Sequence, residues 1–156
     1  MSLLNPKKNL LLQSNFTFKQ IESIANKIIS YLTPGTIIAL QGPMGSGKTS
    51  LVKKIIELLQ VKDMISSPTY SYLNRYQGVL NGQKIMINHA DLYRVGEDQL
   101  EELAILDFIY RETDLSFVEW PDILQLDKKA NVIFVSLDYT DNLKKQRKII
   151  VKKNYE

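Results

Sequence analysis

With 156 residues and 44% hydrophobic content, the chain suits one folded domain, residues 1–156, and leaves no room for a second of comparable size. Cysteine is absent, which excludes a disulfide framework and thiolate-held metals; no apolar run approaches bilayer length, so a cytoplasmic protein without membrane contact is expected. Much of the net charge of +3 lies in Lys144, Lys145, Arg147, Lys148, Lys152 and Lys153, a tail that reads as a solvated edge strand guarded by lysines in preference to an RNA-contacting segment.

Leu10 to Leu12 predicts a short first strand, after which Asn15 or Thr17 caps a helix with Phe18, Ile21, Ile24, Ala25, Ile28 and Ile29 on its apolar face. Thr33-Pro34-Gly35 ends that helix, and Thr36 to Leu40 is a continuous apolar run, the mark of a buried strand. Next comes Gly42-Pro43-Met44-Gly45-Ser46-Gly47-Lys48-Thr49, which fits G-x-x-x-x-G-K-[ST]. Leu51, Val52, Ile55, Ile56, Leu58 and Leu59 then recur at helical spacing as far as Gln60. Ser66-Ser67-Pro68-Thr69 is a polar loop, and Tyr70 to Tyr76 has strand character. Asn81-Gly82 is a strong hairpin signal that makes Lys84 to His89 the antiparallel neighbour of that strand. Gly96-Glu97-Asp98 opens a helical region through Leu100, Leu103, Leu106 and Ile109, followed by a strand at Leu115 to Val118. Strands at Asn131–Tyr139 and Arg147–Lys152 close the chain. The hairpin precludes an uninterrupted series of βαβ units. The prediction is a three-layer α/β fold of P-loop NTPase type with a mixed parallel and antiparallel central sheet.

Strand, glycine loop and helix are the setting a phosphate cradle requires. The loop from Gly42 through Pro43, Met44, Gly45, Ser46 and Gly47 to Ser50 is expected to surround the phosphates of ATP with the backbone N–H groups of its residues other than Pro43, glycine permitting torsions a Cβ forbids. Lys48 supplies a point charge and is expected to face solvent or phosphate, whereas the Thr49 hydroxyl is a hard ligand for Mg²⁺. A second acid is needed, and two stand at strand ends: Asp91 and Glu119, the latter in the position of a Walker-B residue. Thr69 lies in a loop where a γ-phosphate-sensing switch fits. His89, the only histidine, reads as a packed or hydrogen-bonded residue before a base. Tyr93 and the other tyrosines read as half-buried sheet residues. Trp120, extended because Pro121 follows, is expected at the rim of the phosphate pocket.

Taken together, Gly42 to Thr49, Ser67-Pro68-Thr69-Tyr70, His89-Ala90-Asp91-Leu92-Tyr93-Arg94 and Glu119-Trp120-Pro121 resemble the TsaE (YjeE) family in order and spacing, from the first helix to Pro121. The resemblance implies an ATPase that works with TsaD and TsaB in adding a threonylcarbamoyl group to the adenosine beside the anticodon of tRNAs reading codons that begin with A. It implies that hydrolysis resets the complex, tRNA being met indirectly, with direct contact open only to the basic C-terminal strand. It also implies roles: Lys48 on phosphate, Thr49 and Glu119 on Mg²⁺, Asp91 as an essential acid near the γ-phosphate, Thr69 in a switch-like loop, and Trp120 in support of the site.

Some positions depart from the family's pattern. Pro43 replaces an acidic residue, Ser46 an alanine and Ala90 a phenylalanine, while Asn74-Arg75 stands where acids are common and bears on partner contacts. Rival classes fit less well. A small-molecule kinase needs an arginine-bearing lid, and Arg75, Arg94 and Arg111 are scattered; a GTPase needs an N/T-K-x-D base reader, which is missing after Glu119. A non-catalytic nucleotide-dependent scaffold stays open and is separated from an ATPase by turnover with and without TsaD–TsaB.

Overall fold

The computed structural model describes residues 9–63, 65, 72–102 and 104–154. In chain order the elements are β1 (Leu10–Phe16), α1 (Ile21–Ile29), β2 (Ile37–Gln41), α2 (Lys48–Leu58), β3 (Leu73–Leu80), β4 (Gln83–Asp91), α3 (Glu97–Glu102), α4 (Ile105–Ile109), β5 (Asp114–Glu119), β6 (Val132–Tyr139) and β7 (Arg147–Lys153). The strands form one seven-stranded sheet in the order β1-β7-β6-β2-β5-β4-β3. Its centre, β6-β2-β5-β4, is parallel. Antiparallel pairs β6–β7, β7–β1 and β4–β3 flank it, so the sheet is mixed.

Residue alternation along β2 explains the layering. Ile38 and Leu40 point to one face and pack with Ile28 of α1 and Leu51 and Ile55 of α2; Ile37 and Ala39 point to the other, with Leu100, Ile105 and Ile109 from α3 and α4. Phe117 on β5 is completely buried in the first of these cores. Phe117→Ala should therefore cost about 3–5 kcal/mol of unfolding free energy. Urea titration followed by far-UV circular dichroism checks this, and a loss below about 1 kcal/mol would contradict the packing described.

Several expectations need correction. The lysine-bearing last strand is not an edge: β7 lies between β6 and β1, and the sheet ends at β1 and β3. Its lysines still face solvent, because Ile149 and Val151 enter the core while Lys148 and Lys152 alternate outward. The first strand runs on to Phe16, which puts Asn15 inside it. Thr17 begins the helical segment instead, its N–H donating to Gln20 Oε1 at 2.9 Å, and a single 3₁₀ turn at Phe18–Gln20 precedes α1. That tighter turn carries Phe18 out of the apolar face, leaving it 46% exposed. The helical region after Gly96 is broken into α3 and α4 around Ala104, whose backbone is left-handed at φ 51°. Of the described tyrosines, only Tyr76 and Tyr139 lie in strands. The Ser66–Thr69 loop, and with it Thr69, lies outside the described residues.

Candidate functional site

The P-loop occupies the turn from β2 into α2. Gly47 begins the helix at φ 104°, a left-handed conformation that costs a residue with a Cβ about 1 kcal/mol. Gly42 is constrained differently: a Cβ there would stand 2.3 Å from the Leu137 carbonyl oxygen, so the loop can pass β6 only without a side chain. Two further elements hold the loop. Arg147, at the start of β7, donates from Nε to Ser46 O at 2.8 Å, and the Tyr139 hydroxyl at the end of β6 donates to Gly45 O.

A cavity of about 250 Å³ opens beside this loop. Met44, Gly45, Gly47, Lys48, Thr49 and Ser50 line it from the loop and the first turn of α2, and Asp91, Glu119 and Trp120 line it from β4 and the end of β5. Gly42, Pro43 and Ser46 are not among the lining residues. Ser46 is fully buried, and the carbonyls of Gly42 and Pro43 accept hydrogen bonds from Lys48 Nζ at 2.6 and 3.1 Å. Lys48 is only 5% exposed yet lines the cavity, so of the two expected orientations it faces the candidate phosphate site and not open solvent. Burial lowers its pKa, while the nearby Glu119 and Asp91 carboxylates push it back up.

Parallel register brings the acids together. Asp91 pairs with Glu119, and His89 with Phe117, so these four side chains share the face that also carries α2. Thr49 Oγ1 donates to Glu119 Oε1 at 2.6 Å. His89 Nε2 lies 2.6 Å from the other carboxylate oxygen in a fully buried hydrogen bond. A carboxylate there selects the Nε2–H tautomer and leaves Nδ1, which has no partner among the described residues. His89 is thus a hydrogen-bonded residue that fixes the orientation of Glu119. Asp91 accepts the Tyr93 N–H at 3.1 Å, and burial raises its pKa above the ordinary carboxylate value.

Trp120 departs from the extended conformation expected before proline: its backbone is left-handed, at φ 56° and ψ 59°. The chain reverses there from β5 into the turn at Pro121–Ile123, and this swings the indole over the site. Lys48 Nζ lies 4.3 Å from the ring centroid, and the Tyr93 ring packs at 4.8 Å. Tyr93 is 52% exposed and lines the cavity, so it is not a sheet residue. Sequence reasoning gave no site role to Phe18 or Tyr93; it read His89 as packed or hydrogen-bonded, and it is hydrogen-bonded, without foreseeing Glu119 as the partner. The alternation His89-x-Asp91 beside Phe117-x-Glu119 was the available signal for the histidine.

The scattered arginines resolve differently. Arg75 donates to Asn88 Oδ1 at 2.9 Å and pairs with Asp114 at 3.1 Å, and both Arg75 and Arg111 lie over the Phe108 ring. Asp114 opens β5 and Glu119 ends it, so this network sits at the far end of the strand from the cavity. Arg75 therefore serves an internal network. Among the described residues no helix is long and apolar enough to cross a membrane.

A family model described as "Threonylcarbamoyl adenosine biosynthesis protein TsaE" matches residues 16–149. The chain belongs to the TsaE family. The match runs past Pro121 and takes in β6 and the start of β7. The tRNA threonylcarbamoyladenosine biosynthesis protein TsaE of Bacillus subtilis (strain 168) is 29% identical over 107 residues, 69% of this chain and 64% of that protein. Its counterpart in Synechocystis sp. (strain ATCC 27184 / PCC 6803 / Kazusa) is 36% identical over 101 residues, 63% of this chain and 62% of that protein. The chain thus spans a little less than two thirds of the length of these two relatives. The protein of that name from Nostoc sp. (strain PCC 7120 / SAG 25.82 / UTEX 2576) is 32% identical over 123 residues, 76% of this chain and 72% of that protein. A crystal structure of Bacillus subtilis YdiB has the same fold, with a TM-score of 0.66 at 22% identity over 92% of this chain and 86% of that one. TsaE is the family of threonylcarbamoyladenosine biosynthesis on tRNA.

Proposed function

We propose that this protein is a Mg²⁺-dependent ATPase that supports threonylcarbamoylation of the adenosine beside the anticodon in tRNAs reading ANN codons. It acts in the cytoplasm with TsaD and TsaB, resetting their complex by hydrolysis and performing no transfer itself. The observation that carries this reading is the convergence of Lys48, Thr49, Asp91 and Glu119 on one cavity beside a glycine-rich helix start. Such a helix start presents N–H groups to an anion.

The residues present fit the ligand. Thr49 and Glu119 already meet at 2.6 Å, a hydroxyl and a carboxylate of the kind that hold a hard cation. Among the described residues no cluster of three acidic or histidine side chains could hold a metal by itself, which agrees with a Mg²⁺ completed by phosphate and water. When bound, the ion would neutralise developing phosphate charge. Lys48 adds a donor on the same side, and Asp91 stands free of Glu119 to orient or deprotonate a water. Arg75 and Arg111 are engaged with Phe108, which removes two of the arginines a kinase lid would need.

The test is reconstitution of tRNA modification with TsaD and TsaB, omitting in turn this protein and ATP. Repeated turnover should require both; full modification without either would refute the reading. A second result is expected from Trp120, the single tryptophan. Its emission should shift on adding Mg²⁺-ADP, because the indole already senses the Lys48 ammonium, and the shift should weaken in Lys48→Ala. A flat signal at concentrations where calorimetry detects binding would remove Trp120 from the site.

A further inference from the structure

We propose that Phe18 is the stacking platform for the base of the bound nucleotide, held from behind by Arg147. This rests on the nucleotide-binding reading above and names the part of the site that the phosphate-binding residues leave unassigned.

Sheet order sets the direction. β2 carries the P-loop; β5 and β4 lie on one side of it, and β6, β7 and β1 on the other. Both acids come from the first side, Glu119 from β5 and Asp91 from β4. A nucleoside triphosphate whose terminal phosphate faces those acids must send its nucleoside toward the second side. There the cavity is bounded by Phe18, which follows β1. A Cβ on Gly47 would lie 3.7 Å from the Phe18 ring, so ring and loop are neighbours.

The ring is exposed yet fixed. Phe18 is 46% exposed, unusual for a phenylalanine, and contributes little to the core. The Arg147 guanidinium lies 3.8 Å from the ring centroid, is itself 6% exposed, and is anchored by Nε to Ser46 O at 2.8 Å. Arg147 also lies 5.2 Å from the Tyr139 ring, which ties the platform to β6. The anchored cation holds the phenyl group in place while its remaining surface faces solvent. A planar apolar surface held ready at the mouth of a phosphate site is what a base needs, since stacking uses the ring face of any base and requires no pre-set hydrogen bonds.

The test compares Mg²⁺-ADP with inorganic tripolyphosphate, which has phosphates and no base, by calorimetry on the full chain. Phe18→Ala should weaken Mg²⁺-ADP by about 5- to 100-fold and leave tripolyphosphate binding unchanged; Phe18→Tyr should retain wild-type affinity for both. Unchanged Mg²⁺-ADP affinity in Phe18→Ala would overturn the platform while leaving the phosphate site standing. A parallel loss for tripolyphosphate would make Phe18 a prop of the loop and overturn the proposal as well. Failure of the wild-type chain to bind either ligand would overturn the nucleotide reading and this proposal with it.

Discussion

Lys48→Ala should lower partner-stimulated ATP hydrolysis by about 100-fold or more while leaving the chain folded. Among the described residues lining the cavity, Lys48 is the one cation. Its ammonium is aimed by the Gly42 and Pro43 carbonyls and by the Trp120 ring, so the charge sits in a fixed and largely buried place. There a donor to developing phosphate charge is worth more than it would be in water. Stability should respond weakly because two effects oppose each other. Alanine frees two loop carbonyls, and it also removes an ammonium that burial disfavours, as the lowered pKa records. The expected change in unfolding free energy is on the order of 1 kcal/mol. Hydrolysis with TsaD and TsaB, measured beside thermal unfolding, checks both parts. Undiminished hydrolysis would sink the P-loop assignment.

The second large effect separates the two acids. Glu119 is 2% exposed and bonded on both oxygens, to Thr49 and to His89, the arrangement of a fixed ligand. Glu119→Gln keeps the shape but offers a poorer ligand to a hard cation, so the Mg²⁺ concentration needed for half-maximal hydrolysis should rise about 10-fold or more. Asp91 has a lighter set of bonds, and Asp91→Asn should lower kcat by about 100-fold with less effect on Mg²⁺-nucleotide affinity. Identical phenotypes at saturating Mg²⁺ would leave this division of labour without support.

Asp91 also has a pH signature. Desolvation raises its pKa above the ordinary carboxylate value, so between the unfolded and folded values the native state holds more of the proton. Stability from this group is therefore highest in acid and falls as pH rises through the folded value. Asparagine carries no such charge, so Asp91→Asn should be more stable than wild type at neutral pH, with the difference shrinking as pH drops. Urea midpoints across that range would show it, and a difference independent of pH would contradict the cause given.

Local chemistry was legible in the residues because it is local. Asn81-Gly82 closes the β3–β4 hairpin at φ 51° and 78°, which those two residue types tolerate and most others do not. Gly42 to Thr49 between an apolar run and a helical repeat could be read as strand, loop and helix, because each signal lies within a few residues of the next. The runs Lys84 to His89 and Leu115 to Val118 could be read as strands, which placed Asp91 and Glu119 just past their ends.

Only the tertiary structure decided what those termini meet. Thr49 and Glu119 are 70 residues apart in the chain, and their 2.6 Å contact depends on β2 and β5 being parallel neighbours in one register. The lysine-rich last strand was misplaced for the same reason: its composition describes one solvent-facing side, and whether β1 covers its open edge is settled by pairing across the whole chain. Phe18 shows the limit most directly. Helical spacing assigned it to the core, yet one 3₁₀ turn rotates it outward onto Arg147, a partner from the opposite end of the sequence. Periodicity reports which face is apolar; it cannot report how a turn of a few residues aims the next side chain, because that depends on contacts the chain makes only once it is folded.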